Sequence, residues 1–267
     1  MKRIDLDTVS STNTFLSSYE APEKEDMILV TAEQQTAGRG QQGNTWESEA
    51  RKNLLFSILV RPSTLPSARM FVLSEAIALS IREAIAHELS RGEMEEVCVK
   101  WPNDIYVGDC KIAGILIENT LAGQHIERSI IGCGVNILQR TFRFLKCQAT
   151  KVERTDSQFT DSQMVPTPIS LANIKPYTDT SMRERVLENI MRTFKRRYSE
   201  IQAGEYDGIY AEYLSHLYHR EGLHGYCDAN GTFLATIDGV EPDGHLLLRD
   251  SEGQQRRYAF KEVHLQA

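Results

Sequence analysis

The chain has 267 residues, of which 41% are hydrophobic and 25% charged, which is the composition of an ordinary globular protein. The formal net charge of −7 argues against broad, sequence-independent binding to nucleic acids, because such binding needs an extended basic surface. Five cysteines without a Cys-x-x-Cys pair argue against a disulfide framework or a zinc knuckle, so we expect reduced thiols in a cytoplasmic protein. The polar N-terminal residues and the short apolar runs predict neither a signal peptide nor a membrane-spanning segment.

The first half of the chain predicts one long helix among several strands. A short helix is expected to start in 10–20, because Ser, Thr and Asn precede apolar residues there. The long helix is predicted over 67–90, where apolar residues recur at every fourth position. Apolar runs bounded by turn residues predict the strands, which are 27–33, 54–60, 96–101, a hairpin formed by 104–107 and 111–119, and 129–137.

The second half of the chain changes texture twice. Residues 139–168 are polar and lack either period, which predicts a long loop able to move. Helices are predicted over 181–202 and 206–219. From Gly222 onward, short alternating strands joined by Asn-Gly and Asp-Gly turns predict a small all-β module. We therefore divide the chain into a large domain, 1–221, and a small domain, 222–267, and expect an α+β fold.

The stretch "AGRGQQG" contains Gly-x-Gly-x-x-Gly at Gly38, Gly40 and Gly43, the spacing of a dinucleotide-binding turn. That turn should open a helix and be followed by an acidic residue about 20 positions later. Instead, the next apolar run has the pattern of a strand, and positions 58–66 contain no Asp or Glu. We therefore expect a loop whose backbone can approach an anion closely, with Arg39 between the glycines.

Four clusters of polar residues and glycines fall on predicted loops and strand ends, where binding sites are often built. Each cluster also has a simpler explanation. Ser11 or Thr12 can serve only as a helix cap, 101–104 can be only a turn, and the glycines at 132 and 134 can serve only packing. Lys111 is harder to explain in this way, because a lysine on an internal strand needs an anionic partner. The clusters are 10–13, 35–46, 100–104 with Lys111, and 132–136.

Together these clusters resemble one family, the biotin–protein ligases, also called biotin–[acetyl-CoA-carboxylase] ligases. The resemblance covers most of the chain. It rests on Ser-Thr-Asn, Gln-x-x-Gly-Arg-Gly with a following Trp, Lys-Trp-Pro-Asn-Asp, "KIAGILIE", "GCGVN" and the small β module. It implies a catalytic domain like the class II aminoacyl-tRNA synthetase core, a mixed sheet flanked by helices, and a C-terminal SH3-like β-barrel. It also implies a ligase that forms biotinyl-5′-AMP from biotin and ATP. The biotin is then joined through a carbon–nitrogen bond to a lysine of a biotin carboxyl carrier protein.

The resemblance implies that the positively charged residues offset the repulsion between two anions, the biotin carboxylate and ATP. Lys111 would bridge the carboxylate and the α-phosphate, and Arg39 would clamp an anionic group. Lys100 would be a further cation on the ATP side, and Mg²⁺ would neutralise the departing pyrophosphate. Asp104 is left with two readings: it orients Mg²⁺, or it helps to deprotonate the incoming lysine.

The resemblance assigns the remaining site residues to binding. The biotin contacts come from the two polar clusters and from glycines that let the ligand lie on the sheet: Ser11, Thr12, Asn13, Gln35, Gly38, Gly40, Gln41, Gly114, Gly132 and Gly134. The nucleotide contacts include a stacking face for adenine and two amides: Trp46, Asn53 and Asn136.

Two departures from the family pattern carry predictions. Relatives that act as repressors have an N-terminal helix-turn-helix, whereas the Ser-Thr-Asn motif begins here at residue 11, so we expect a monofunctional ligase that does not bind DNA. Many relatives have a second arginine where this chain has Gln41, so we expect weaker retention of biotinyl-AMP.

Two alternative functions compete with a biotin–protein ligase. One is a lipoate–protein ligase or octanoyltransferase, and the other is a module that senses biotin without catalysis. The carrier protein and a possible homodimer are left open.

Overall fold

The computed structural model describes residues 1–22, 24–41, 44–94, 96–142, 166–175 and 178–266, and it contains two β-sheets. The first sheet has seven strands in the order β1-β2-β3-β7-β6-β5-β4. Only β1 and β2 run parallel, and every other neighbouring pair is antiparallel. Its strands are β1 (Lys2–Val9), β2 (Met27–Gln35), β3 (Leu54–Val60), β4 (Val97–Lys100), β5 (Asp104–Val107), β6 (Cys110–Ala122) and β7 (His125–Val135).

The helices cover the two faces of this sheet unequally. They are α1 (Thr12–Ser18), α2 (Val72–Glu88), α3 (Arg91–Met94), α4 (Leu171–Ile174), α5 (Met182–Ala203) and α6 (Asp207–Ser215). On one face, here called the α2 face, α2 packs against α5, α6 and the strands to form the main apolar core. The opposite face, here called the α1 face, carries a smaller apolar cluster under α1. Among the described helices, none combines the length and hydropathy needed to cross a membrane.

Alternation along the strands decides which side chain goes to which face. In β3, Phe56 and Ile58 belong to the main core, whereas Leu59 packs in the cluster under α1. The sheet side of that cluster includes Ile28 and Ile130, and Leu16 of α1 closes it. The predicted strands and the mixed α+β architecture are thus present, with boundaries shifted by a few residues.

Two predicted helices are shorter in the structure because the residues at one end of each form hydrogen bonds with distant parts of the chain instead of helical ones. The segment before α2 forms a 3₁₀ turn at Ser67–Arg69, and the backbone N–H of Ser67 donates to Gln124 O. After α6, the chain leaves the helix and pairs with β4: Val99 N donates to His216 O and Tyr218 N donates to Val99 O, both at 2.8 Å. Helical periodicity continues past these points, but the backbone bonds do not.

Three elements were not predicted. β1 is an edge strand in which charged residues alternate with Ile4 and Leu6, and those two pack against the cluster under α1. α3 is a single turn after α2, where the sequence predicted only a helix end. α4 is one turn long and is held by a capping box between Ser170 and Asn173. α3 and α4 are too short to show a periodicity, whereas the alternation in β1 was present in the sequence and was missed.

The second sheet contains the strands that follow Glu221, in the order β11-β10-β9-β8-β12, all antiparallel. They are β8 (His224–Asp228), β9 (Gly231–Val240), β10 (Leu246–Asp250), β11 (Gln255–Tyr258) and β12 (Val263–Leu265). This sheet contacts the first part of the chain where Trp101 Nε1 donates to Gly244 O at 2.9 Å. The division into domains at Glu221 stays a prediction. Most of the predicted loop 139–168 lies outside the described residues.

Candidate active site

The predicted biotin-binding residues of α1 and β2 meet through side-chain hydrogen bonds on the α1 face. Gln35 Oε1 accepts from both Thr12 N at 2.7 Å and Thr12 Oγ1 at 3.0 Å. Ser57 Oγ of β3 lies 2.6 Å from both Thr12 Oγ1 and Asn13 Oδ1. Thr12, Asn13 and Ser57 are all buried, so each bond replaces a contact with water that folding has removed. The polar start of α1 is therefore fixed against two strands.

The same hydrogen-bonded chain continues to the predicted anion clamp. Asn13 Nδ2 donates to Glu118 Oε2 of β6 at 2.7 Å, and Arg39 Nη2 donates to Glu118 Oε1 at 2.6 Å. A continuous set of contacts thus runs through Gln35, Thr12, Ser57, Asn13, Glu118 and Arg39, here called the polar chain. Ser57 and Glu118 were not among the residues predicted from the sequence. The signal for Ser57 was a hydroxyl inside an otherwise apolar strand.

Other side chains of the site lie on three glycines, Gly114 of β6 and Gly132 and Gly134 of β7, here called the glycine floor. A Cβ atom on Gly134 would lie 2.3 Å from Trp46 Cε2, and one on Gly132 would lie 2.2 Å from Asn13 Oδ1. At Gly114, which pairs with Gly134, the corresponding distance to Trp46 Cζ3 is 3.0 Å. Real Cβ atoms do not approach other atoms to 2.3 Å, so the missing side chains at 132 and 134 make room for Asn13 and Trp46.

The connection between β2 and β3 explains how Trp46 reaches this floor. Residues 36–41 and 44–46, here called the glycine loop, bond to each other: Gly40 N donates to Asn44 O at 2.7 Å, and Trp46 N donates to Gly38 O at 3.0 Å. Arg39 and Thr45 form an isolated antiparallel bridge. No α-helix opens in 44–53, and the next element is β3, so a dinucleotide-binding turn is excluded on geometry. Gly43 lies outside the described residues.

Two polar atoms of the glycine loop are buried without a protein partner in the described structure. They are Gln41 Oε1 and Trp46 Nε1. A buried polar atom is normally hydrogen-bonded, so an unpaired one at a candidate site marks a place where a ligand atom or water would bond. Beside the loop opens a cleft of about 530 Å³ lined by Gln35, Gly38 and Trp46 among others.

The two lysines of the predicted site lie at the other end of the glycine floor. Lys111 Nζ is 2.7 Å from Asp104 Oδ1 and 5.7 Å from the centre of the Trp46 ring. Burial raises the pKa of the Asp104 carboxyl, and the Lys111 ammonium opposes part of that rise. Burial also lowers the pKa of Lys100, which lies over the rings of Tyr106 and Tyr218. Lys111 therefore has the anionic partner that the sequence required.

Three residues predicted to contact biotin or the nucleotide, Ser11, Asn53 and Asn136, are buried in the structure. Ser11 is the N-cap residue of α1, but its side chain makes no capping hydrogen bond. Asn53 bonds to Gln139 Oε1 through Nδ2 at 2.6 Å and accepts from Ile137 N at 3.1 Å, so its amide is used in holding two segments together. Asn136 Nδ2 donates to Ile169 O, whereas Asn136 Oδ1 is buried without a partner in the described structure. Asn136 thus retains a free acceptor and Asn53 does not.

The surroundings of Asp104 fit poorly with a magnesium ion held by the protein. Mg²⁺ takes oxygen ligands, commonly from one or two carboxylates and from substrate phosphates. Here Lys111 contacts the Asp104 carboxylate directly, and Lys100 acts on it as a second positive charge. Both ammonium groups would repel a dication at this carboxylate. The assignment of a metal to Asp104 remains a sequence prediction, and we treat magnesium only as the counter-ion of ATP.

A family model matches this part of the chain. Residues 6–136, which contain the polar chain, the glycine floor and both lysines, match the Biotin/lipoate A/B protein ligase family. The chain is 27% identical over 259 residues to the bifunctional ligase/repressor BirA of Bacillus spizizenii, covering 95% of this chain and 71% of that protein. It is 35% identical over 138 residues to the biotin–[acetyl-CoA-carboxylase] ligase of Mycobacterium tuberculosis, covering half of each.

Solved structures agree with the fold. The biotin protein ligase of Aquifex aeolicus in complex with biotin and ATP superposes with a TM-score of 0.73 at 22% identity, covering 99% of this chain and 98% of that one. At this identity the likeness shows the fold alone. It confirms the predicted combination of a large mixed sheet flanked by helices with a C-terminal antiparallel sheet.

Proposed function

We propose that this chain, which belongs to the biotin/lipoate A/B protein ligase family, is an ATP-dependent biotin–protein ligase. The observation that carries the proposal is the meeting of Lys111, Trp46 and the Ser-Thr-Asn end of α1 on one glycine floor. In the reaction, the biotin carboxylate attacks the α-phosphorus of ATP, and pyrophosphate leaves as biotinyl-5′-AMP forms. The amine of a carrier lysine then attacks the acyl carbon, and AMP leaves as the amide bond forms.

The first step brings a carboxylate against a polyphosphate, so the protein must offset their repulsion. Lys111 is suited to bridge the two, because it lies at the edge of the glycine floor and is held in place by Asp104. Lys100 is the next cation along, and burial lowers its pKa by disfavouring the ammonium form. Binding of a polyanion would favour the ammonium form and so oppose this lowering of the Lys100 pKa.

The second step needs an uncharged amine on the carrier lysine. Asp104 can accept this proton, because burial raises the pKa of the Asp104 carboxyl and so makes its carboxylate a stronger base. We assign Asp104 first to holding Lys111, which is the contact the structure contains, and keep the proton transfer as its second role. Arg39 and the glycine loop would cover the reactive anhydride and exclude water from it.

The family model alone does not separate biotin from lipoate, because the family includes both kinds of ligase. The names of individual relatives favour biotin as the substrate. The relative at 35% identity is named a biotin–[acetyl-CoA-carboxylase] ligase, and the relative at 27% identity is named a bifunctional ligase/repressor. A module that only senses biotin would not need two lysines and an arginine around the same floor, so we favour catalysis. Trp46, whose Nε1 is unpaired in the described structure, is the proposed adenine platform, and Asn136 is the proposed further nucleotide contact.

The partner that this function requires is the carrier domain of a biotin-dependent carboxylase. The identity of that carrier, a homodimeric state, a cytoplasmic location and the absence of DNA binding remain predictions.

The proposal is tested by biotin-dependent exchange of labelled pyrophosphate into ATP, measured beside the same assay with lipoate. We expect exchange with biotin and little with lipoate, followed by transfer of biotin to a purified carrier domain. Lys111→Ala and Lys111→Gln should each reduce exchange by at least about 100-fold, because a neutral side chain cannot offset the two anions. Lys195→Ala, which removes an exposed lysine of α5, serves as the control. Exchange that survives both Lys111 substitutions would remove Lys111 from the mechanism.

A further inference from the structure

The proposed anion clamp is already occupied by a side chain of the same protein. Arg39 Nη2 lies 2.6 Å from Glu118 Oε1, and Arg39 is the only charged residue in the glycine loop. Glu118 lies on β6, four residues beyond Gly114, so alternation puts both on the α1 face. Its other oxygen accepts from Asn13 Nδ2 at 2.7 Å. One carboxylate therefore contacts both the biotin side of the site and the arginine of the loop.

We propose that Glu118 is a positioning residue that holds Arg39, and with it the glycine loop, until substrate anions compete for the guanidinium. The nature of those anions, a carboxylate and a polyphosphate, rests on the proposed function. The docking of Arg39 by Glu118 does not, because it is a contact between two protein side chains. Glu118 is the last residue of the motif "KIAGILIE", in which the resemblance assigns roles only to Lys111 and Gly114.

The strength of this contact suits an exchange. The side chains of Arg39 and Glu118 are 46% and 41% exposed, so water and salt reach the pair and keep its contribution small. A phosphate group offers a guanidinium more negative charge and a bidentate geometry, so it can displace a single carboxylate oxygen. A fully buried ion pair would instead resist displacement, because its separated charges would stay desolvated.

The two oxygens of Glu118 give the contact a further property. Because Asn13 holds one oxygen and Arg39 the other, a ligand that moves Asn13 also moves the acceptor of Arg39. Asn13 is buried and is fixed in turn by Ser57, so a displacement on the biotin side has few other ways to relax. Filling the biotin side would thereby loosen Arg39 and prepare it for the second anion.

The docking is tested without any substrate, by limited trypsin digestion at the Arg39–Gly40 bond followed by mass spectrometry. Trypsin needs a free arginine side chain, so a docked Arg39 is protected. We expect Glu118→Gln to be cut about three- to fivefold faster at low salt, which corresponds to about 1 kcal/mol or less of lost docking. Glu127→Gln, which removes an exposed carboxylate from β7, should be cut at the wild-type rate.

Salt and a second substitution separate docking from a general loss of structure. Wild-type cleavage should accelerate between about 0.02 and 0.5 M salt because screening weakens the pair, whereas Glu118→Gln should show little change. Glu118→Gln keeps an acceptor for Asn13, so its biotin affinity should stay within about twofold while its ATP affinity rises a few-fold. Glu118→Ala removes that acceptor, so its biotin affinity should fall as well.

The outcomes are distinguishable from failure of the proposed function. Equal cleavage of wild type and Glu118→Gln at Arg39, at every salt concentration, would overturn the docking even if biotin-dependent exchange is found. Absence of that exchange in the wild type would overturn the proposed function and leave the cleavage result standing. A fall in both affinities in Glu118→Gln would show a structural role only.

Discussion

The two faces of the seven-stranded sheet are built from the same strands and differ in almost everything else. On β3, Phe56 and Ile58 point to the α2 face and are fully buried in the main core, while Ser57 between them points to the polar chain on the α1 face. Gly132 and Gly134 alternate in the same way with Ile131 and Cys133 of β7. Apolar burial on one face holds the sheet, which leaves the other face free to carry polar side chains and glycines that add little stability.

The α2 face is not apolar throughout, and Glu75 is one exception to this division. Glu75, in the first turn of α2, is only 3% exposed, and burial raises the pKa of its carboxyl to about 7. Its negative charge also helps to raise the pKa of the buried Tyr213 phenol, whose oxygen has no hydrogen-bond partner in the described structure. A titratable group within the stabilising face should therefore affect stability rather than catalysis.

The largest expected effect follows from this exception. A glutamate with an ordinary pKa of 4.5 in the unfolded chain and about 7 in the folded one binds an extra proton in the folded state between those values. Stability from this group is thus fully present below about pH 4.5 and is lost as the pH rises to about 7, by about 3 kcal/mol in all. Glu75→Gln should be more stable than wild type at pH 8 by up to that amount and similar at pH 5.

Urea unfolding from pH 5 to pH 8 measures this difference. Exchange activity per folded molecule should not change, because Glu75 lies on the face away from the site. Parallel pH dependences of the two unfolding midpoints would show that the pKa of Glu75 is the same in the folded and unfolded chains, and would remove the contrast at this residue.

The second prediction tests the opposite face. Gly134→Ala puts a methyl group within 2.3 Å of Trp46 Cε2, so the indole must move off the glycine floor. We expect exchange to fall by about 100-fold, which is about 2.7 kcal/mol in transition-state free energy, with little loss of folding stability. Gly208→Ala is the matched control, since nothing lies within 4 Å of its new Cβ and alanine favours α6 by up to about 1 kcal/mol. A Gly134→Ala protein as active as the control would show that the floor tolerates displacement of Trp46.

The contrast between the faces also explains which parts of the structure the sequence predicted. The elements that bury side chains on the α2 face have regular spacing of apolar residues, so α2, α5 and the internal strands were predicted nearly in full. The α1 face depends on contacts between residues distant in sequence. Glu118 is 79 residues from Arg39 and 105 from Asn13, and no local pattern reveals either contact. The resemblance predicted Asn53 as a nucleotide contact, which stays a prediction; in the structure its amide bonds to Gln139, a contact between distant residues that no local pattern shows.

The smallest expected effect concerns the rate at which biotinyl-AMP is released from the α1 face. Gln41 Oε1 is buried without a partner in the described structure, and its neutral amide adds no charge beside Arg39. An arginine at 41 would supply a second charge-assisted hydrogen bond to an anionic intermediate, so Gln41→Arg should slow release of labelled biotinyl-AMP about fivefold, or about 1 kcal/mol. Gln41→Glu, which reverses the charge, should speed release. Equal release from all three proteins would mean that Arg39 and the loop backbone alone retain the intermediate. In that case, the polarity of the α1 face beyond the polar chain would be without consequence for retention.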